Sequence, residues 1–207
     1  MTEPRVEHWD SVYQKRAADE LSWYQSSPDT SLDAIKRHCG DSTPAVIDIG
    51  GGMSRLAAEL ARSGFNDVAV LDISQQALAR AAAEAGIDGS AIDWICADIT
   101  DWQPSRQYQV WHDRAVFHFL IDSGQRDAYR NAMLAGLAPG GLAIIATFAP
   151  DGPEKCSGLP VQRYSPAQLD AALGDQFRLI ESWGQDHQTP GGNVQAFNWC
   201  IFRRVIS

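Results

Sequence analysis

The stretch VIDIGGGMS, residues 46–54, joins a short apolar run to three glycines and carries Asp48 within the run. The run predicts a buried strand, and the pattern over residues 53–64, which ends at Gly64, predicts a helix. Glycine loses the most backbone freedom on ordering, so three together indicate a tight turn or a close approach of the backbone to a ligand. We expect this stretch to be the first strand-to-helix turn of an α/β domain.

The rest of the chain alternates short apolar runs with helical patterns, which predicts a doubly wound α/β fold with helices on both faces of the sheet. After an N-terminal helical region we expect a seven-stranded, mostly parallel sheet with a C-terminal antiparallel hairpin. The predicted strands cover residues 45–50, 67–73, 91–99, 108–116, 140–150, 176–183 and 194–204. The predicted helices cover residues 53–64, 74–86, 125–137 and 165–174, and residues 151–164 predict a loop because they are rich in glycine and proline.

Composition limits the class of protein. The chain has 207 residues, of which 44% are hydrophobic and 21% charged, and its net charge is -9. We expect one domain that binds neither nucleic acid nor a membrane, because nucleic-acid-binding proteins usually present a basic face. The N-terminus lacks the apolar core of a signal peptide, and four cysteines without regular spacing are typical of free thiols, so we expect a cytoplasmic protein, monomeric or homodimeric.

The glycine motif distinguishes between classes of ligand. In parallel sheets of this kind, ligands bind outside the carboxyl ends of the strands. A nicotinamide oxidoreductase would need a third glycine, but Arg55 stands at that position. The sequence instead reads Asp48-x-Gly50-x-Gly52-x-Ser54, and an acid beside the glycines suits a positively charged ligand better than a pyrophosphate.

This motif resembles the first motif of the class I S-adenosylmethionine-dependent methyltransferases, which have a Rossmann-like fold. Asp72 and Asp98 follow the second and third strands, where that family places acids that contact the ribose and the adenine amino group. The terminal hairpin also fits, so the resemblance covers residues 45–204. It implies S-adenosylmethionine as cofactor, S-adenosylhomocysteine as product, and the following cofactor-binding residues: Trp23, Asp48, Gly50, Gly52, Ser54, Asp72, Ile73, Asp98, Ile99 and Asp113.

The acceptor should lie at the same edge of the sheet, because further segments end there. The N-terminal segment with Trp23 and Tyr24 is expected to fold over the cofactor as a lid. As catalytic residues we predict His118, Asp113 and His112, with His118 as the preferred general base. As substrate contacts we predict Tyr24, Cys156, Arg163 and His187.

Several of these residues have a simpler structural explanation. His118 stands between two phenylalanines, as core histidines do, and Asp113 could pair with Arg114. Cys156 could be an idle thiol and Trp23 could cover the core, while Asp72 could cap the helix over residues 74–86. A mixed zinc site from His112, His118, Cys156 and His187 is disfavoured because no two of them have a standard ligand spacing, so we predict no metal.

The acceptor is expected to be a small molecule, and we predict a soft nucleophile such as a thiol or sulfide. The plan also resembles small bacterial methyltransferases of the thiopurine and tellurite-resistance types. A protein lysine N-methyltransferase is the alternative, since some compact enzymes of this class open with the W-D-x-x-Y pattern found at residues 9–13. A non-catalytic S-adenosylmethionine-binding regulatory protein is the alternative outside enzymes. Within one domain, 1–207, we assign 1–44 to the lid, 45–149 to the cofactor-binding half, and 150–207 to the substrate loop, a helix and the hairpin.

Overall fold

The computed structural model describes residues 3–86 and 92–206. Within them the helices are α1 (Glu3–Lys15), α2 (Asp29–Cys39), α3 (Leu56–Arg62), α4 (Gln75–Ala85), α5 (Ser123–Gly136) and α6 (Pro166–Leu173). The strands are β1 (Val46–Ile49), β2 (Val68–Asp72), β3 (Ile92–Cys96), β4 (Tyr108–Arg114), β5 (Leu137–Phe148), β6 (Lys155–Cys156), β7 (Leu159–Pro160), β8 (Phe177–Gln188) and β9 (Val194–Arg204).

The main sheet has seven strands in the order β3-β2-β1-β4-β5-β9-β8. Strands β1 to β5 are parallel to one another, and β9 runs antiparallel to both β5 and β8. The predicted fold class is therefore confirmed. The chain leaves β1 toward β2 on one side and returns to β4 on the other, so the strand order reverses beside β1, which is where such sheets form a ligand crevice.

The sheet is buried on both faces because its central strands are apolar on both sides. Ile47 and Ile49 of β1 pack into one core layer, and Val46 packs into the other. A third, smaller cluster joins Tyr13 and Leu21 of the N-terminal region to Ala77 of α4. The N-terminal region is thus attached to the sheet domain at the carboxyl ends of the strands.

Several local signals are confirmed at atomic detail. The Ser74 hydroxyl caps α4 by accepting from the Ala77 amide, and Gly86 ends that helix in a left-handed conformation. Ser165 and Gln168 form the expected capping box of α6.

Several parts of the fold differ from the sequence-based prediction. Residues 151–164 are not entirely loop, because β6 and β7 pair there as a short hairpin. Strand β5 begins at Leu137, directly after α5, because Leu137 pairs with Tyr108 ahead of the Pro-Gly-Gly sequence. Helix α3 covers only residues 56–62, since residues 50–54 are occupied by the glycine turn. No helix among the described residues combines the length and apolarity that crossing a bilayer requires.

Candidate active site

Two adjoining clefts open where β1 to β4 end. The first encloses about 800 Å³, counted with its open mouth, and lies between α1, the strand ends, the segment after β4 and Cys156. The second encloses about 620 Å³ and lies between the glycine turn and the segment that leads into α2. Four residues line both clefts: Trp23, Ile49, Gly50 and Arg114.

The glycine turn explains the composition of residues 50–52. Gly50 and Gly52 have φ angles of +65° and +45°, in the left-handed region that favours glycine. A Cβ atom on Gly50 would lie 2.0 Å from Cγ2 of Val116, and one on Gly52 would lie 2.5 Å from the Tyr13 hydroxyl oxygen. The turn therefore needs glycine both for its conformation and for the close approach of neighbouring segments.

Asp48 belongs to a buried chain of hydrogen bonds beneath this turn. Its Oδ1 lies 2.7 Å from Nδ1 of His112, and Nε2 of His112 lies 3.0 Å from the Ser31 hydroxyl oxygen. When the imidazole is neutral, its Nδ1–H donates a hydrogen bond to Asp48, and the Ser31 hydroxyl donates a hydrogen bond to Nε2. The Oδ2 atom of Asp48 is buried without a hydrogen-bond partner. This arrangement fixes the Asp48 carboxylate and leaves one of its oxygens unsatisfied.

Asp72 ends β2 and lines the first cleft with a buried carboxylate. Oδ1 accepts from the Ser74 amide at 2.8 Å, so the residue does contact the start of α4. Burial raises the pKa of Asp72 from 3.8 to about 7, and the nearby charge of Asp48 also raises it, while the Ser74 and Gly52 amides oppose the change. The cleft thus contains a carboxylate whose ionised form lacks adequate solvation.

Asp98 lies two residues beyond β3, with Ile99 beside it, and both line the first cleft. Thr100 donates to Oδ1 of Asp98 through both its amide (2.9 Å) and its hydroxyl (2.7 Å). Arg5 of α1 forms an ion pair with Oδ2 at 2.7 Å. Ile73, after β2, lines the same cleft, so two isoleucines and two acids share this wall.

Helix α1 and the segment after it cover the first cleft with aromatic side chains. The Trp9 ring packs edge-on against Trp23 and Phe119, with centroids 5.8 and 5.2 Å apart. Tyr13 lies against Trp23 and close to Gly52. The W-D-x-x-Y pattern at residues 9–13 does not by itself predict a contact with the cleft. In the structure, Trp9 and Tyr13 of this pattern line the cleft directly.

Asp113, predicted both to bind the cofactor and to take part in catalysis, lies outside both clefts. Its fully buried carboxylate accepts from the Val116 amide (2.8 Å), the Phe117 amide (3.1 Å) and the Tyr129 hydroxyl (2.7 Å). Burial raises its pKa to about 6, although these hydrogen bonds oppose the change. Asp113 shapes the turn after β4, in which Ala115 has a φ of 74°, and it does not pair with Arg114.

His118 is also absent from the lining of both clefts. Residues 117–119 form a 3-10 turn that directs the imidazole into the core, with ring centroids 4.6 Å from both Phe119 and Phe148. Burial and the charge of Arg114 lower the pKa of His118 to about 3. The imidazole is fully buried and does not line either cleft, so this arrangement gives no support to the hypothesis that His118 is the general base, which stays a prediction.

The four predicted substrate contacts divide into two pairs. Tyr24 lines the second cleft and Cys156 lines the first. Burial raises the pKa of Cys156 to about 11, so the thiol is protonated at neutral pH. Arg163 lies outside the clefts and donates to the Gly152 carbonyl. His187 is part of β8 rather than of the following turn, and Nε2 donates to the Ser22 carbonyl at 2.8 Å.

Two further predicted residues, Ser54 and His112, line the second cleft, whereas Gly52 is absent from the lining of both clefts. Ser54 lines the second cleft, and its hydroxyl accepts from the Leu56 amide at the start of α3. His112 lines the second cleft through the hydrogen-bonded chain described above. Within the described residues, no group of three or more His, Cys, Asp or Glu side chains could hold a metal ion.

Comparison with known proteins places the glycine turn and the following strands in one family. Residues 46–141 match a family model described as a methyltransferase domain. The ubiquinone biosynthesis O-methyltransferase of Bradyrhizobium diazoefficiens is 29% identical over 103 residues, which is 50% of this chain but only 39% of that protein.

Two solved structures share the fold over nearly the whole chain. One comes from a study of the conversion of a disulfide bond into a thioacetal group during echinomycin biosynthesis. It has a TM-score of 0.75 and 19% identity, and the match covers 97% of this chain and 91% of that one. The other is the N-methyltransferase NodS from Bradyrhizobium japonicum WM9 with S-adenosylhomocysteine, with a TM-score of 0.72, 16% identity, and coverage of 95% and 98%. The domain match over residues 46–141 and the strand order of the sheet support the resemblance of this chain to the class I S-adenosylmethionine-dependent methyltransferases.

Proposed function

We propose that this protein transfers a methyl group from S-adenosylmethionine to a small-molecule acceptor that carries a thiol or is sulfide itself. The observation that carries the proposal is the set of three buried carboxylates at three successive strand ends, namely Asp48, Asp72 and Asp98, around adjoining clefts. The buried Oδ2 of Asp48 has no hydrogen-bond partner, and the carboxyl of Asp72 has a raised pKa. Both features support the proposal that a ligand completes the site.

The residues present fit this cofactor. We assign Asp72 to the ribose hydroxyls, Asp98 to the adenine amino group, and Ile73 and Ile99 to the faces of the adenine. The turn at Gly50 and Gly52 leaves space for the methionine portion, with Ser54 and Trp23 at its borders. Asp48, through its free Oδ2, is assigned to the positive end of the cofactor. When bound, S-adenosylmethionine supplies a methyl group on a positively charged sulfur.

The chemical step needs little from the protein beyond alignment and exclusion of water. The acceptor sulfur's electron pair forms the bond to the methyl carbon, and the pair of the broken bond remains on the cofactor sulfur. Trp9, Trp23 and Phe119 cover part of the first cleft and limit the access of water to it. Because His118 and Asp113 lie outside the clefts, we assign neither a role in proton transfer, and His112 acts by holding Asp48 in place.

A soft acceptor suits the lining of the first cleft. Apart from its acids and arginines, the lining of this cleft is mainly aromatic and aliphatic, and polarisable sulfur packs favourably against aromatic rings. The related structure from the echinomycin study also concerns sulfur chemistry in its own pathway. We further propose one domain over residues 1–207 with the three parts assigned above, a cytoplasmic location, a monomer or homodimer, and no nucleic-acid partner.

Protein lysine N-methylation is the second candidate, because Trp9 and Tyr13 of the W-D-x-x-Y pattern line the cleft. A lysine acceptor would be expected to need a carboxylate beside its amine, but Asp72 and Asp98 are assigned to the cofactor. A non-catalytic cofactor-binding protein is the third candidate.

A screen with methyl-labelled cofactor separates these candidates. The acceptors are sulfide, small thiols, amines, carboxylates and lysine-containing proteins. The proposal expects label transfer to sulfide or to thiols. Transfer only to proteins would support the second candidate, and cofactor binding without transfer to any class would support the third.

A further inference from the structure

Arg114 is a shielded cation at the junction of the two clefts, and its position carries an inference about the acceptor. We propose that Arg114 binds the acceptor as an anion, so that the acceptor enters the cleft as a thiolate or hydrosulfide. This inference rests on the function proposed above. It gives Arg114 a role in acceptor specificity, whereas the sequence alone indicates only a possible ion pair with Asp113.

The guanidinium is held in place but not neutralised. Nη1 donates to the Trp23 carbonyl at 2.9 Å, and the guanidinium carbon lies 5.3 Å from the centre of the Phe197 ring. Nη2 is shielded from solvent and has no hydrogen-bond partner. None of the ion pairs formed by the described residues includes Arg114. The side chain thus has a fixed position and an unused donor.

This environment is unfavourable for a cation in the absence of a ligand. Burial lowers the pKa of Arg114 to about 10, although the charge of Asp48 opposes the change. The nearby Asp48 carboxylate already accepts from His112 and makes no ion pair with Arg114. A buried charge without a paired partner is strongly unfavourable, and such groups in clefts are characteristic of binding sites. An anionic ligand would supply the missing partner.

The chemistry of the cleft indicates which anion fits. Thiols react as thiolates, and a neighbouring cation favours the ionised form. Cys156, the thiol of the cleft itself, is protonated at neutral pH and therefore does not supply this anion. Aromatic rings beside Arg114 suit a sulfur anion, which is larger and less strongly hydrated than a carboxylate. The other possible source of an anion is the carboxylate of the cofactor, which the experiment below distinguishes.

The test uses binding rather than turnover. The protein is first saturated with S-adenosylhomocysteine, and thiophenol or phenol is then titrated calorimetrically at pH 8 without oxygen. At this pH thiophenol is largely ionised, whereas phenol is neutral and of similar shape. The variants are Arg114→Gln, Arg114→Lys and Arg55→Gln; Arg55 also lines the second cleft, but its guanidinium only contacts the Ser26 carbonyl at 3.3 Å near the surface. Thermal unfolding checks that each variant is folded.

We expect the parent to bind thiophenol at least tenfold more tightly than phenol, and Arg114→Gln to reduce this ratio to within threefold. Arg114→Lys should retain part of the ratio, Arg55→Gln should retain all of it, and S-adenosylhomocysteine should bind every variant within threefold of the parent. An equal affinity of the parent for both probes, or an unchanged ratio in Arg114→Gln, would overturn the proposal. A tenfold loss of S-adenosylhomocysteine affinity in Arg114→Gln with an unchanged probe ratio would assign Arg114 to the cofactor carboxylate instead. Failure of the parent to bind S-adenosylhomocysteine would refute the proposed function itself.

Discussion

Among single residues, Asp72 shows most clearly how the site opposes the stability of the fold. Its carboxylate is buried near Asp48 and Asp10, and both charges add to the effect of burial in raising its pKa to about 7. A carboxyl group with a raised pKa holds its proton longer in the folded protein than in the unfolded chain. Its contribution to stability is therefore complete below pH 4 and is lost as the pH rises toward 7.

Replacing Asp72 with Asn should consequently stabilise the ligand-free protein at pH 8 while weakening cofactor binding. A pKa of about 7 instead of 3.8 corresponds to at most about 4 kcal/mol at high pH. We expect a higher Tm for Asp72→Asn at pH 8, a difference that shrinks at pH 5, and a loss of at least tenfold in S-adenosylhomocysteine affinity. Asp151→Asn, which changes an exposed acid, is the control. A lower Tm at pH 8 with unchanged affinity would show that Asp72 acts mainly as a cap of α4.

The chain from Asp48 through His112 to Ser31 gives a graded prediction. His112→Leu leaves both oxygens of the buried Asp48 carboxylate without a side-chain partner, whereas Ser31→Ala removes only the outer hydrogen bond. We expect His112→Leu to cost about 2–4 kcal/mol of unfolding free energy and Ser31→Ala about 1 kcal/mol. Urea denaturation measures both, and equal losses would mean that His112 does not support the Asp48 carboxylate.

Asp48, Asp72 and Asp98 could be identified from the sequence because each stands at or near a strand end, and the ends of parallel strands meet at one edge. His118 could not be placed in the same way. The orientation of its ring depends on a 3-10 turn at residues 117–119, and no local sequence pattern predicts this turn. In the sequence Arg114 stands next to Asp113, which suggests an ion pair between them. Only the tertiary structure shows that Arg114 donates a hydrogen bond to the Trp23 carbonyl instead.

Among the elements, helix α1 is the one whose position is most directly related to function. It reaches both assigned acids of the first cleft. Arg5 pairs with Asp98, and Asp10 accepts from the Ser74 hydroxyl beside Asp72. Trp9 then packs over the opening against Trp23 and Phe119. A helix held by side-chain contacts across a cleft is suited to slow the departure of a ligand beneath it.

Shortening Trp9 should therefore raise the dissociation rate of the bound cofactor more than it changes the association rate. In Trp9→Ala, we expect S-adenosylhomocysteine to dissociate at least tenfold faster, with an association rate within threefold of the parent. Stopped-flow fluorescence measures both rates. Trp183→Ala, which removes a ring stacked on Trp199 outside the clefts, is the control. An unchanged dissociation rate in Trp9→Ala would show that α1 does not cover the bound cofactor.

The order and types of the main elements were predictable because hydrophobic periodicity and capping residues agree with the fold. The hairpin of β6 and β7 was not predictable, because each strand has two residues and the segment is rich in turn formers. His187 was misplaced for a related reason. Strand β8 continues to Gln188 through polar residues that pair with β9, and such half-exposed positions carry little hydrophobic signal.

For the whole molecule, the central feature is the position of β1 between β2 and β4. Because the strand order reverses there, the glycine turn, the three acids and Arg114 gather around one crevice although they lie up to 66 positions apart in sequence. We attribute the buried unsatisfied oxygen of Asp48, the raised pKa of Asp72 and the unpaired cation of Arg114 to one cause, namely that bound ligands complete the site.

Calorimetric titration of the unmodified protein with S-adenosylhomocysteine and, separately, with NAD tests this central claim most directly. We expect one site per chain for S-adenosylhomocysteine, with a dissociation constant in the micromolar range, and no measurable heat with NAD. The turn at Gly50 and Gly52 lacks the third glycine of a dinucleotide fingerprint, and Asp48 beside it disfavours a pyrophosphate. Tight binding of NAD together with no binding of S-adenosylhomocysteine would contradict the assignment of these clefts to S-adenosylmethionine.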